Sequence, residues 1–197
     1  MKALCLALLI MMSASIPTFA QTTTYDSSDT PATSDAQAAF EKLKTLAGSW
    51  VGQLTTSPAD SEFSGRFAQF SMRVTSRGNA LMHELSLSGI PDHPVTMFYL
   101  EEDQLVLTHY CDAGNRPRMA GKVSPDGKTL EFDFLDLAGD NQYGHMHHAV
   151  FTFIDENHHT EEWTYMMPGD NPVRARFDLE RTNFEQQGTN TGIASGN

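Results

Sequence analysis

Basic residues are few. Thirteen Lys and Arg stand against 25 Asp and Glu in 197 residues, a formal charge of −12. With a pI near 4.9, the chain lacks the basic footprint of a nucleic-acid binder, and that class of partner is not expected. Cysteine is scarcer still, at two residues. Beyond the first dozen residues no apolar run approaches the roughly 20 needed for a spanning helix. Signature motifs are missing too: no Gly-rich phosphate loop, no Gly-x-Ser-x-Gly elbow, no His-Glu-x-x-His and no paired Cys-x-x-Cys. What is present is 40% apolar residues, enough for a core, in a length that suits one domain.

Residues 1–20 read as a secretory signal peptide. Lys2 supplies the positive start, Leu6 to Met12 the short apolar run, and Thr18-Phe19-Ala20 the small residue before the cut. The expected location is therefore secreted or periplasmic, with no membrane span once the leader is removed. Cys5 leaves with the leader, so Cys111 is a lone thiol in an oxidising compartment. Such a thiol is buried and inert, paired between chains, or a ligand or reactive group. Residues 21–34 are rich in Thr, Ser, Asp and Pro and read as a flexible linker. Residues 183–197 read as a disordered polar tail.

Ser34 or Asp35 can cap a short helix running to about Ala47, with Ala39, Phe40, Leu43 and Leu46 on one stripe. Gly48 is expected to end it. From there the hydrophobic period becomes two. Ten candidate strands follow, at 49–55, 64–76, 80–88, 94–100, 104–111, 118–123, 129–135, 144–154, 159–166 and 173–181. Short turn signals such as Ser124-Pro125-Asp126-Gly127 separate many of them, and short connections join antiparallel neighbours. Residues 35–182 therefore predict an all-β domain. It is an antiparallel meander of about 8–10 strands closed into a barrel behind a short N-terminal helix.

Gly48-Ser49-Trp50 follows the helix and opens the first strand, and Leu179-Glu180-Arg181 ends the last. This resembles the calycin arrangement of lipocalin-type barrels. The resemblance implies that Trp50 plugs one end and that Arg181 packs over its ring, a structural role in barrel closure. Three stretches are similar to a family of uncharacterised bacterial secreted proteins related to the DUF1579 and calycin-like groups. They are Leu43-Lys44-Thr45-Leu46-Ala47-Gly48-Ser49-Trp50, Leu107-Thr108-His109-Tyr110-Cys111 through Asn115-Arg116-Pro117-Arg118-Met119, and Gly144-His145-Met146-His147. That family brings no established activity with it. A more distant similarity is to nitrobindin-like haem barrels, whose haem-ligating His lies near the C-terminus. No His follows His159 here, which argues against haem.

Alternation places Leu105, Leu107, His109 and Cys111 on one strand face, and His145 and His147 on the face of Ala149, Phe151 and Phe153. If those faces are interior, His109, Cys111, His145 and His147 point into the barrel together. Three imidazoles and a thiolate suit zinc, and softer ligands such as Met146, Met166 and Met167 suit copper. Hydrogen-bonded histidines at a barrel mouth are the simpler alternative. Cys111 and His109 could also make a nucleophile and base. Same-face neighbours stand roughly 6–7 Å apart, so a base from another strand such as His145 fits better.

Other polar positions are open to two readings. Glu84 is either solvent-facing, with His83 on the leucine face, or an interior acid. Glu131 and Asp133 read as solvated. Asn115 and Arg118 belong to a compact turn, where Arg118 could fix an anionic ligand or form a surface ion pair. His158-His159 reads as an exposed hairpin tip.

Three functions fit these residues. The first is a barrel binding a small ligand through His109, Arg118, His145, His147, Glu84 and Asn115. The second is a zinc or copper protein, with or without catalysis, built on His109, Cys111, His145 and His147. The third is an interaction module whose barrel is filled by side chains. Catalytic residues and oligomeric state are not legible.

Overall fold

The structure, a computed structural model, describes residues 34–60 and 62–182. The expected leader at 1–20, the linker up to residue 33 and the tail at 183–197 lie outside the described residues. Among the described residues no helix is long and apolar enough to cross a membrane.

Helix α1 (Asp35–Lys44) begins where the Ser34 hydroxyl accepts the Gln37 N–H at 3.2 Å. Asp35 lies in its first turn and Lys42 and Lys44 in its last, each sign matching the helix dipole. The stripe of Ala39, Phe40, Leu43 and the following Leu46 is buried. The helix stops a turn short of Gly48, which instead opens the first strand in an extended, positive-φ conformation.

Ten strands follow: β1 (Gly48–Ser57), β2 (Phe67–Thr75), β3 (Ala80–Leu87), β4 (Val95–Glu101), β5 (Gln104–Tyr110), β6 (Arg116–Val123), β7 (Thr129–Ala138), β8 (His145–Phe153), β9 (His158–Met167) and β10 (Asn171–Thr182). Each pairs antiparallel with the next, and β10 returns to β1 with Trp50 opposite Arg181. Closure leaves no open edge in the sheet.

The two ends of the barrel differ. At one, α1 packs on β4, β5 and β6, and the Lys42 ammonium lies 4.6 Å over the Phe153 ring near the β8–β9 turn. There the buried Trp50 indole donates to the Leu46 carbonyl at 2.8 Å. The Arg181 guanidinium lies 4.1 Å over the same indole and donates to the carbonyls of Thr45, Ala47 and Glu156. The middle of the barrel is filled by Phe98, Phe132 and Phe151 in mutual edge or tilted contact, with Leu81 and Leu107 beside them. Fully burying each such side chain contributes roughly 1.5–3 kcal/mol. The opposite end carries the β1–β2, β3–β4 and β5–β6 loops and holds the cavity described next.

Candidate functional site

The strand period of two builds the site. Leu85 and Leu87 on β3, His109 on β5, Trp163 and Tyr165 on β9, and Ala175 and Phe177 on β10 all turn inward. Beyond the phenylalanine layer they leave a cavity of about 210 Å³. Leu54, Leu85, Leu87 and Phe177 form apolar walls, while His83, His109 and Trp163 lie deepest. Phe63, Ile90, Asp92, Cys111 and Asp112 ring the mouth, with both aspartates exposed.

His109 is 5% exposed, and its Nδ1 lies 2.8 Å from the buried Thr96 hydroxyl. Burial, reinforced by the charge of His83, pushes its pKa down to about 3. The ring is therefore neutral. The ring's one hydrogen sits on Nδ1 or on Nε2 according to whether Thr96 Oγ1 accepts or donates. No described group bonds that Nε2. Nδ1 faces Thr96 on β4, so Nε2 is the polar atom the ring offers the cavity.

Beneath the cavity lies a buried charged cluster that the sequence did not reveal. Glu161 is 0% exposed and receives three N–H donors: His83 Nε2 at 3.1 Å, His159 Nε2 at 3.2 Å and Trp163 Nε1 at 2.9 Å. Burial alone would raise this carboxyl. The charge of His83 and the hydrogen bonds from both histidines outweigh it and hold the pKa at about 2. His159 in turn meets the edge of the Trp50 ring at 4.2 Å. A continuous polar column thus runs from the plug (Arg181, Trp50) through His159 and Glu161 to His83 at the cavity floor. His159 is fully buried, not at an exposed hairpin tip. The signal was the spacing His159-x-Glu161-x-Trp163, which puts all three on one face of β9. The adjacent turn residues Asp155-Glu156-Asn157 made His158-His159 read as an exposed tip.

The other expected site residues scatter. Cys111 borders the mouth as a free thiol that donates to Asp112 at 3.4 Å, and burial pushes its pKa up to about 11. Glu84 is on the outer face beside His93 at 3.4 Å, and His83 has the interior place. Arg118 lies outside as well, between Glu101 at 2.9 Å and Asp136 at 3.0 Å. The Asp136 hydrogen bonds raise its pKa further. Asn115 is buried but ties loops together, donating to Asp140 O and Gly144 O at 2.9 and 2.8 Å.

His145 and His147 do not reach the cavity. A register shift between Met146 and His148 breaks the alternation, and Met146 lines the cavity in their place. The two imidazoles bond each other at 3.1 Å and pack on Phe134 at 4.8 and 4.9 Å. His145 Nδ1 is held by Asn141 at 2.9 Å. Burial, then the charge of His147, lowers the His145 pKa.

The proposed zinc or copper set of His109, Cys111, His145 and His147 is therefore not assembled. Among the described residues, three such ligand atoms come within 4.8 Å of one another at Glu131, Asp133 and His148 alone. That group lies on the outer wall, where Lys122 already pairs with Asp133 at 3.2 Å.

Fold and site together define a ten-stranded antiparallel β-barrel, plugged at one end and hollow at the other. No family model matches the chain, and no curated protein matches it. Solved structures do. The crystal structure of Rv2717c from M. tuberculosis superposes with a TM-score of 0.54 at 14% identity, covering 74% of this chain and 98% of that one. At that identity the likeness is one of fold. A protein of unknown function from the DUF3598 family of Nostoc punctiforme aligns with a TM-score of 0.48 at 11% identity, over 71% of this chain and 49% of its own.

Proposed function

We propose that the hollow end binds one small, largely apolar molecule. The observation that carries this is the cavity itself: about 210 Å³ with leucine and phenylalanine walls and a buried histidine presenting an unbonded nitrogen. Cavities of about 150 Å³ lined by apolar side chains hold benzene, so this one suits a single ring with a short substituent. Of the ligand-binding residues expected from sequence, His109 alone is in position, and His83, Trp163 and Phe177 join it.

Titration of toluene into ¹⁵N-labelled protein tests the reading. Amide shifts should concentrate on β3, β9 and β10 around the cavity. They should vanish in Ala175→Phe, which fills it, with the variant's fold checked by its own spectrum. Shifts that are absent, or that persist in Ala175→Phe, would overturn it.

The proposal extends to kinship and location. The chain reads as a secreted or periplasmic calycin-type barrel related to the DUF1579 group. What supports this is the helix, the Gly48-Ser49-Trp50 opening and Arg181 over the indole. Mass spectrometry of protein exported from a bacterial host should find a new N-terminus after Ala20.

A further inference from the structure

Resting on that ligand-binding reading, we infer that the cavity selects uncharged carbonyl compounds, such as cyclic ketones, lactones or amides, whose oxygen accepts a hydrogen bond from His109 Nε2. The direction of this bond follows from Thr96. Its buried hydroxyl has no other described hydrogen-bond partner, so we assign it as the donor to His109 Nδ1, which leaves the ring hydrogen on Nε2. The cavity therefore offers a donor there, and it seeks an acceptor.

Charge narrows the class further. Asp92 and Asp112 stand at the mouth, and the Glu161 carboxylate lies behind His83. No described Lys or Arg is in the lining: Arg66, packed on Phe63 at the mouth, is held by the Glu62 and Ser88 carbonyls, and Arg118 is engaged outside. A carboxylate or phosphate head would meet like charge without a counter-ion in the lining. An alcohol could accept the same bond, but its own proton would then need an acceptor at that depth, and the unpartnered one there, His83 Nδ1, has essentially no accessible surface. A carbonyl has no proton to place, so the one bond satisfies it. The rest of the molecule must be hydrocarbon to match Leu54, Leu85, Leu87 and Phe177.

Three ring-sized probes test this: cyclohexanone, methylcyclohexane and cyclohexanecarboxylate. Each is titrated into wild type and into His109→Phe, which keeps an aromatic ring and removes the donor. Cyclohexanone should lose roughly tenfold in affinity in the variant, methylcyclohexane should lose nothing, and the carboxylate should not bind either protein. In wild type, long-range ¹H–¹⁵N spectra should show a protonated His109 Nε2 that shifts with cyclohexanone and not with methylcyclohexane. That readout needs no variant to fold.

If methylcyclohexane binds but cyclohexanone affinity is the same in both proteins, or the Nε2 signal does not respond to it, the carbonyl inference fails and the cavity reading stands. Binding of the carboxylate in preference to the ketone overturns the inference as well. If none of the three binds wild type, the cavity reading itself fails and takes the inference with it.

Discussion

His109 and Glu161 make the fold acid-sensitive, and the sign follows from their shifts. Folded His109 stays unprotonated down to about pH 3, whereas in the unfolded chain it takes up a proton near 6.5. Across that window the unfolded state holds more protons, so stability rises with pH. It is fully present above about 6.5 and is lost as pH falls toward 3. Glu161 acts in the same direction lower down, between an unfolded value near 4.5 and its folded value of about 2. The urea midpoint should therefore fall between pH 7.5 and pH 4.5, by an amount corresponding to on the order of a few kcal/mol. His109→Gln should flatten the curve between 6.5 and 4.5. Parallel curves for the two proteins would contradict the assignment.

Cys111 belongs to the same scale. A thiol whose pKa burial has raised to about 11 holds little thiolate at pH 8, and thiolate is the reactive form. Iodoacetamide should alkylate it on the order of a hundred times more slowly than free cysteine. Alkylation as fast as the free amino acid would contradict the raised pKa and favour the nucleophile reading of Cys111. The thiol's position at the cavity rim was legible from its alternation with His109. Its inertness was not, because burial depends on loops that no local pattern specifies.

At the level of elements, the strands and the plug were the legible part. Alternation in Leu81, His83, Leu85 and Leu87 or in Leu105, Leu107 and His109 is a local property, so it survives into the barrel unchanged. Gly48-Ser49-Trp50 and Arg181 pair across the closure because the first and last strands must meet there. The β8 histidines were misplaced for a specific reason. One residue of slip between Met146 and His148 exchanges the two faces of a strand, and nothing in Gly144-His145-Met146-His147-His148 announces it. His159 and Glu161 were missed because a charge beside a turn looks solvated until its partner, His83 on a distant strand, is known.

Gly48 gives the element scale its test. A Cβ there would lie 2.6 Å from Arg181 Nη1, in a backbone at φ +140. At Gly65, φ is +86 but a Cβ would meet nothing within 4 Å. Gly48→Ala should lower stability by about 1–3 kcal/mol, beyond what Gly65→Ala costs. Combined with Arg181→Ala it should cost less than the sum of the single changes, since both act on one contact. Equal costs at the two glycines, or simple additivity, would show that the guanidinium does not depend on the bare backbone at Gly48. Chemical denaturation of these four variants beside the wild type gives the comparison.

For the whole molecule, the asymmetry between its ends carries the account. Closing ten strands leaves an interior wider than the phenylalanine layer fills. The helix, Trp50 and Arg181 take up one end, and Glu161 with its two histidines anchors the polar floor of the other. The barrel is thus neither empty throughout nor solid throughout, and its unfilled volume adjoins a His109 nitrogen that no described group bonds. A crystal structure of the protein soaked in cyclohexanone examines that adjacency directly. The account predicts the ring between Leu85, Leu87 and Phe177, with its oxygen about 2.7–3.2 Å from His109 Nε2. Side chains closing over the space with no ligand density, or the ketone lodged on the outer wall beside His145 and His147, would contradict it.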